Sequence, residues 1–526
     1  MATPTILKLT GQTLTTHDVQ AVVTNPRLQV RVAPAALIGM RKSKKLLDAS
    51  LTERIIYGVN TGFGPMASHI IGRDDLLQLQ LNLVRSHSSG IGAPIDSNLV
   101  LAAMVIRLNT LSKGFSGASD AVAHQLEKFI NARITPIIPE HGAVGTSGDL
   151  VQLAHIALAL IGEGEVHYRG ERMPTATALA KEKIAPLTLG PKEGLALING
   201  TAGMTAVAAI LCEEAARIVA LSLRTGAWSL DIVGGFDDSI SERIHAVRPH
   251  AGQRVAAAAL RGLVAKSGRM KNREAFNKKH AISDEVHKIA EDVQEMYSLR
   301  CIPQIVGPVL DAFWRVRSDV TTEMNSATDN PIVDWERGVF LHGGNFHGEY
   351  IAAAVDYLKT GMIKLTMLSE RRINYFMNPA INHRLPPFVN LHTPGLTLAL
   401  QGMQFVATST AAHSQSLAFP HHIHSIPTNG DNQDVVSMGF DAALIATKAI
   451  ENAYAVLAIE MVTLAQATDA LKCSRELSPE NQQLYRAIRK LTPAVIEDRP
   501  LAPDLERIVA FLKSSPTLPI DSLRKP

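Results

Sequence analysis

The segment HGAVGTSGDLVQLAHIALALIGEG, His141 to Gly164, is where residue types first suggest chemistry. Gly142, Gly145 and Gly148 loosen the backbone around Ser147. In a tight bend the Gly148 nitrogen can attack the Thr146 carbonyl, because glycine presents no Cβ obstruction. Loss of one water closes a five-membered ring. Loss of a second water from Ser147 leaves an exocyclic methylene. The product would be a 4-methylidene-imidazol-5-one, a strong electrophile that needs no external cofactor. Helix N-termini nearby would favour negative charge developing on it. Asp149 is placed to begin a helix, and Leu150 to Ile161 is apolar enough for a buried one. A bare Thr-Ser-Gly is far more often a glycine-rich turn capping a helix. The tripeptide acquires meaning only through its companions.

Four further constellations stand elsewhere: YGVNTGFG (Tyr57 to Gly64), GLALINGT (Gly194 to Thr201), VQEMYSLRCIPQ (Val293 to Gln304) and GGNFHGEY (Gly343 to Tyr350). Tyr57 lies in a glycine-flanked loop able to approach a ligand; a packed loop tyrosine is the alternative. Gln294, Tyr297 and Arg300 recur every three residues and would share one face of a helix. Arg300 could hold a carboxylate through a bidentate fork. An exposed polar stripe would give the same spacing. Leu76, Leu79 and Leu83 form an apolar stripe that His87 continues, so His87 should point inward, as a ligand group or as a satisfied core histidine.

Together with GTSGDL, these segments resemble the aromatic amino-acid ammonia-lyase and aminomutase family, which includes histidine, phenylalanine and tyrosine ammonia-lyases. The resemblance runs from about residue 50 to about 470, and the chain looks like the compact bacterial members. The chemistry explains why such residues are needed. Ammonia is a poor leaving group and the β-hydrogen of an amino acid is barely acidic, so both ends must be activated. The resemblance implies that the prosthetic group forms autocatalytically from Thr146, Ser147 and Gly148. It makes Tyr57 the base for the β-proton and Arg300 the holder of the carboxylate. Tyr297 would assist the amino group or the ring, and Gln294 would face inward with them. Asn199 and Phe346 match positions lining the prosthetic group, with Asn199 near its carbonyl. Asn330, in NSATDNP, matches a pocket asparagine near the substrate carboxylate. Gly64 and Leu83 fall among the substrate-contacting positions. Two departures stand out. The family pattern at the tripeptide is Ala-Ser-Gly, whereas this chain has Thr146; the ring uses only the backbone there, so closure should survive. Its usual Asp-Pro before Tyr297 is Glu295-Met296 here.

The pair Ser86-His87 matches the position where the substrate ring ends. Phenylalanine lyases carry an apolar pair there, and a histidine is found in lyases for histidine and in some for tyrosine. A polar tip suits a polar ring, because a buried donor left unpaired is costly. In SIPTNGDNQDVVSMG (Ser425 to Gly439), Asn429 and Asn432 match asparagines near the phenol in tyrosine lyases. Histidine lyases carry Glu where Gln433 stands. LTLALQG (Leu396 to Gly402) also departs from the segment common in histidine lyases. The resemblance therefore favours L-tyrosine, converted to 4-hydroxycinnamate and ammonia. The alternatives are a histidine ammonia-lyase giving urocanate, a phenylalanine-type lyase, and an aromatic aminomutase.

The elements that must position these residues are mostly helical. Residues 205–225, 350–370 and 440–470 carry apolar positions at helical spacing without frequent turn signals. The first part differs, with strand-like ILKLT and LQVRV and glycine-rich loops at 58–64 and 142–148. We expect a mainly α protein with a central bundle of long helices, the fold of histidine and phenylalanine ammonia-lyases. A smaller mixed region, residues 1–200, carries the tyrosine loop and the tripeptide; 201–526 holds the long-helix bundle and C-terminal helices. With 526 residues, 46% hydrophobic, there is ample core. Lys and Arg number 52 against 49 Asp and Glu, with no basic run, so nucleic acid is not an expected partner. Cys212, Cys301 and Cys473 have neither disulfide-framework nor metal spacing, which fits a reducing compartment. No signal peptide or uninterrupted apolar span is evident, so we expect a soluble cytoplasmic protein away from membranes. In PHHIH (Pro420 to His424) no nearby carboxylate completes a metal triad, so no metal site is expected. A non-catalytic helical scaffold would leave five polar, glycine-rich segments without purpose. The expected partner is a small aromatic amino acid. The resemblance further implies a homotetramer whose active sites combine residues from three chains.

Overall fold

The computed structural model of the protein describes residues 5–280, 282, 284–514 and 523. Helices dominate, and the nine strands found among those residues are all short, so the fold is mainly α as expected. ILKLT and LQVRV do form strands: Ile6–Leu9 pairs in parallel with Gln29–Val32. The intervening helix Thr16–Thr24 starts with a capping box, in which Thr15 and Asp18 satisfy each other's backbone N–H groups.

Two compact units divide the chain. The first comprises residues 1–213, 316–357 and 420–446; the second comprises 214–315, 358–419 and 447–526. The first unit is built around Ser97–Ser112, buried continuously from Val100 to Ser112. A helix apolar on every side must be enclosed by others. Helix Leu150–Leu160 packs against Leu76–His87 and Glu193–Ile198. Its sequence is apolar apart from Gln152 and His155, which explains its central place.

The apolar segments at 205–225, 350–370 and 440–470 lie in helices Ala202–Val233, Glu349–Met377 and Gly439–Ala470, and Ile302–Glu323 forms a further long helix that the periodicity did not mark. Small residues dominate their buried faces, as in Ala443, Ala446, Ala449 and Ala453. Such faces let helix backbones approach closely. In the second unit, fully buried Arg372 donates from Nε to Glu460 Oε1 at 2.5 Å and from Nη2 to Thr225 Oγ1 at 3.0 Å. This cross-links three of those helices, and removing one charged partner would cost about 3–5 kcal/mol. Gly439–Ala470 is long and apolar enough to cross a membrane by length and composition, but 67% of its most apolar window is buried inside the protein. That is how a core helix looks.

Candidate active site

The first unit contains a cavity of about 950 Å³. Its walls come from six separated stretches: the loop from Tyr57, helix Leu76–His87, the tripeptide segment, Leu195 with Asn199, and the stretches around 330–347 and 428–435.

The tyrosine loop packs closely against its neighbours through its glycines. Gly64 has φ +53°, and a Cβ there would lie 2.4 Å from Asn429 Nδ2. Gly64 N–H donates to the Tyr57 hydroxyl oxygen at 3.0 Å, which fixes where that oxygen sits. The ring meets Phe63 edge-on at 6.3 Å. From the other side, Tyr57 N–H donates to His342 Nε2 at 3.3 Å.

At its central carbonyl the tripeptide is held by one side-chain amide and one backbone amide. Gly148 has φ +73°, and a Cβ on it would fall 1.9 Å from the Gly200 oxygen, so only glycine fits. The Ser147 carbonyl accepts from Asn199 Nδ2 at 3.1 Å and from Gly200 N–H at 3.2 Å. Asn199 Oδ1 accepts from Asn330 N–H at 2.8 Å, and Asn330 Oδ1 accepts from Gly343 N–H at 2.8 Å. One run of amides thus links residue 147 to the GGNFHGEY segment. Phe346 and His347 from that segment also line the cavity.

Behind the tripeptide lies buried charge. Arg107 is 1% exposed and donates from Nη2 to the Asn199 carbonyl at 2.6 Å and to the Ala196 carbonyl. Burial lowers its pKa to about 10, opposed by Asp329 and Asp149. Asp149 does begin the helix Leu150–Leu160, but its side chain caps another: Oδ2 accepts from Met204 N–H at 2.8 Å in the first turn of Ala202–Val233. Burial pushes the Asp149 carboxyl up to about 7, against the pull of the Met204 and Gly203 N–H groups and of Arg107.

This shift has a sign. A carboxyl held near 7 when folded, against about 4 when unfolded, binds more protons in the folded state between those values. Stability therefore falls as pH rises from about 4 to 7 and stays reduced above. Asp149→Asn keeps an acceptor for Met204 without the ionisation. Melting curves from pH 5 to 8 are expected to show the parent losing stability and the variant staying flatter; parallel curves would refute this.

Leu83, Ser86 and His87 also line the cavity. The apolar stripe is real: Leu76 and Leu83 are buried and His87 is half-buried. His87 Nδ1 lies 2.9 Å from the Leu83 carbonyl oxygen. A carbonyl only accepts, so Nδ1 carries the proton and, in the neutral ring, Nε2 is an acceptor. Asn429, Asn432 and Gln433 line the same cavity. Gln433 reaches the tripeptide, donating from Nε2 to Ser147 Oγ at 2.9 Å.

Gln294, Tyr297 and Arg300 belong to the second unit and do not line this cavity. Their spacing yields only part of the expected face. The helix is Tyr297–Arg300, because Met296 is extended (φ −61°, ψ 159°), and Gln294 precedes it. Tyr297 is 69% exposed, and the Arg300 guanidinium stands 4.6 Å over its ring. Among the described residues lining the cavity there is neither Arg nor Lys.

In PHHIH, His422 Nδ1 pairs with Asp356 Oδ2 at 2.8 Å. No group of three or more His, Cys, Asp or Glu among the described residues could hold a metal ion. Sequence reading missed His342, Arg107 and Asp149 as parts of the site's support. Arg107 had a signal, being the one formal charge in the helix Ser97–Ser112.

The chain matches the aromatic amino acid lyase family over residues 14–490. It is 40% identical to the histidine ammonia-lyase of Geobacillus thermodenitrificans (strain NG80-2), with 97% of each chain covered. It is 38% identical to the tyrosine 2,3-aminomutase of Chondromyces crocatus, with 96% of each covered. Its fold matches the crystal structure of tyrosine aminomutase from Streptomyces globisporus with a TM-score of 0.93, at 36% identity over 97% of each chain. The chain belongs to the aromatic amino acid lyase family. It is therefore an enzyme, a carbon–nitrogen lyase acting on an amino acid.

Proposed function

We propose that this protein eliminates ammonia from L-tyrosine to give 4-hydroxycinnamate, using a 4-methylidene-imidazol-5-one formed from Thr146, Ser147 and Gly148. The observation that carries this reading is the convergence of Tyr57, Ser147, Asn199, Asn330, Phe346 and His87 on one cavity.

The residues fit such a group. Gly148 sits at positive φ with no room for a side chain, and Asn199 Nδ2 and Gly200 N–H both face the Ser147 carbonyl. When formed, the group supplies an electrophile for the substrate's amino nitrogen. Asn199 and Gly200 hold the carbonyl of residue 147, and Arg107 fixes Asn199 from behind. Tyr57 takes the β-proton, its oxygen set by Gly64 N–H. The Cα–N bond then breaks, and a double bond forms between Cα and Cβ. His87 Nε2 accepts from the phenol hydroxyl. Asn429 and Asn432 complete the polar end.

The cavity's lack of Arg or Lys supports the remaining part of the proposal. The active enzyme is a homotetramer, and Arg300, Tyr297 and Gln294 of a neighbouring copy complete the site. Arg300 holds the substrate carboxylate, and Tyr297 assists the amino group. The exposure of Tyr297 in the single chain suits that delivery.

Mass spectrometry of the peptide spanning Ser147 tests the electrophile: two waters should be missing, and an intact mass would overturn the mechanism. His87→Phe tests the ring end. It should lower the tyrosine-to-phenylalanine ratio of kcat/KM by about 10- to 100-fold, since a buried phenol would lose its acceptor. An unchanged ratio would remove His87 from substrate recognition. A second reading, histidine as substrate, is favoured by the 40% identity to a histidine ammonia-lyase. His87 and the asparagines suit an imidazole as well as a phenol, and Gln433 is the residue that argues against it.

A further inference from the structure

Gln433 is tied to two adjacent residues of the tripeptide at once. Its Oε1 accepts from the Thr146 hydroxyl at 2.7 Å, and its Nε2 donates to Ser147 Oγ at 2.9 Å. The loop bearing Gln433 is already fixed through its backbone. Thr428 and Gln433 exchange N–H···O bonds at 3.1 and 3.3 Å, closing a tight turn. Just beyond, Met438 N–H donates to the Val144 carbonyl at 3.0 Å, and Ser437 Oγ donates to the Gly145 carbonyl at 3.1 Å. The side-chain torsions of Gln433 are what these contacts leave free, and the terminal amide torsion of glutamine is broad.

We propose that the Thr146 hydroxyl is a positioning group that clasps the Gln433 amide, so that its other end stays beside residue 147 and meets the bound ligand. This rests on the function proposed above. Formation of the electrophile removes Ser147 Oγ as water, and with it the partner of Gln433 Nε2. Thr146 Oγ1 is not consumed. It is 4% exposed as a residue, and so keeps its hold on Oε1 away from competing water. Nε2 is then left as an unpaired donor on the cavity wall, where a ligand acceptor restores its bond. A hydroxyl accepts as well as donates, so the clasp fixes the place of the amide whichever end faces the ligand. Alanine or valine at position 146 would leave the amide to wander among rotamers and would leave Oε1 unpaired.

Thr146→Val keeps the shape and removes only the hydroxyl; Thr146→Ser restores it. Gln433→Leu and the Thr146→Val/Gln433→Leu double variant complete a cycle. Three quantities are read: the mass of the peptide spanning residue 147, the separate kcat and KM for L-tyrosine, and the Kd for 4-hydroxycinnamate by calorimetry. All variants are expected to lose two waters. Thr146→Val should raise both KM and Kd by about three- to ten-fold, the worth of one hydrogen bond, with a smaller change in kcat. Thr146→Ser should stay within about two-fold of the parent, and Thr146→Val should add less than about two-fold in the Gln433→Leu background. Equal effects of Thr146→Val with Gln or Leu at 433, or a serine variant as weak as the valine one, would mean packing and overturn the clasp. So would retention of two waters by Thr146→Val alone, which would put Thr146 in the formation of the electrophile. An intact mass in the parent chain would instead overturn the proposed function. Normal mass loss with unchanged KM and Kd would overturn the clasp by itself.

Discussion

Replacing Ser147 with alanine should lower kcat by three orders of magnitude or more, on the scale of removing a residue that bonds covalently to substrate (roughly 10³ to 10⁶). Alanine has no β-oxygen to lose, so no exocyclic methylene can form and nothing in the cavity can take up the amino group. Tyr57, Asn199 and the ring-end residues would remain, yet none of them makes ammonia a better leaving group. The fold should survive, since the one side-chain hydrogen bond of Ser147, to Gln433, is already absent from the parent once the electrophile has formed. Steady-state rates, with a melting curve to establish folding, check this. Full turnover by the alanine variant would sink the mechanism.

Tyr57→Phe should cost about 10²- to 10⁴-fold in kcat, the usual contribution of a positioned proton acceptor. The ring would keep its edge-on contact with Phe63, while Gly64 N–H would lose its acceptor. The peptide spanning Ser147 should still lack two waters, which separates loss of the base from loss of the electrophile. A near-normal rate would require another base. His342, whose Nε2 lies 3.3 Å from the Tyr57 nitrogen, would be the first to test.

Much of this arrangement was legible in the sequence because local rules govern it. Apolar spacing without turn residues at 205–225, 350–370 and 440–470 marked what are the helices Ala202–Val233, Glu349–Met377 and Gly439–Ala470. Glycines marked the backbone where no side chain fits, as at Gly64 and Gly148. The Leu76, Leu83 and His87 stripe identified the inward face of its helix. What stayed hidden depends on partners distant in sequence. Thr146 and Gln433 are 287 residues apart, and nothing local foretells their bond. Asp149 reads as the start of one helix, yet its carboxylate serves the first turn of another. Spacing alone also misjudged Gln294: a repeat of three residues implies a helical face only if the backbone is helical throughout, and Met296 is extended. Arg300 illustrates a further limit: under the proposed assembly it would complete a site in another copy of the chain, and no local mark in the sequence gives such a destination.

The most direct test follows ultraviolet absorbance of the purified protein with L-tyrosine, L-phenylalanine and L-histidine in parallel. Fastest formation of 4-hydroxycinnamate from L-tyrosine is the predicted result. Fastest formation of urocanate from L-histidine would keep the chemistry at Ser147 but contradict the tyrosine assignment and the weight placed on Gln433, and no unsaturated product from any of the three would contradict the lyase reaction proposed here.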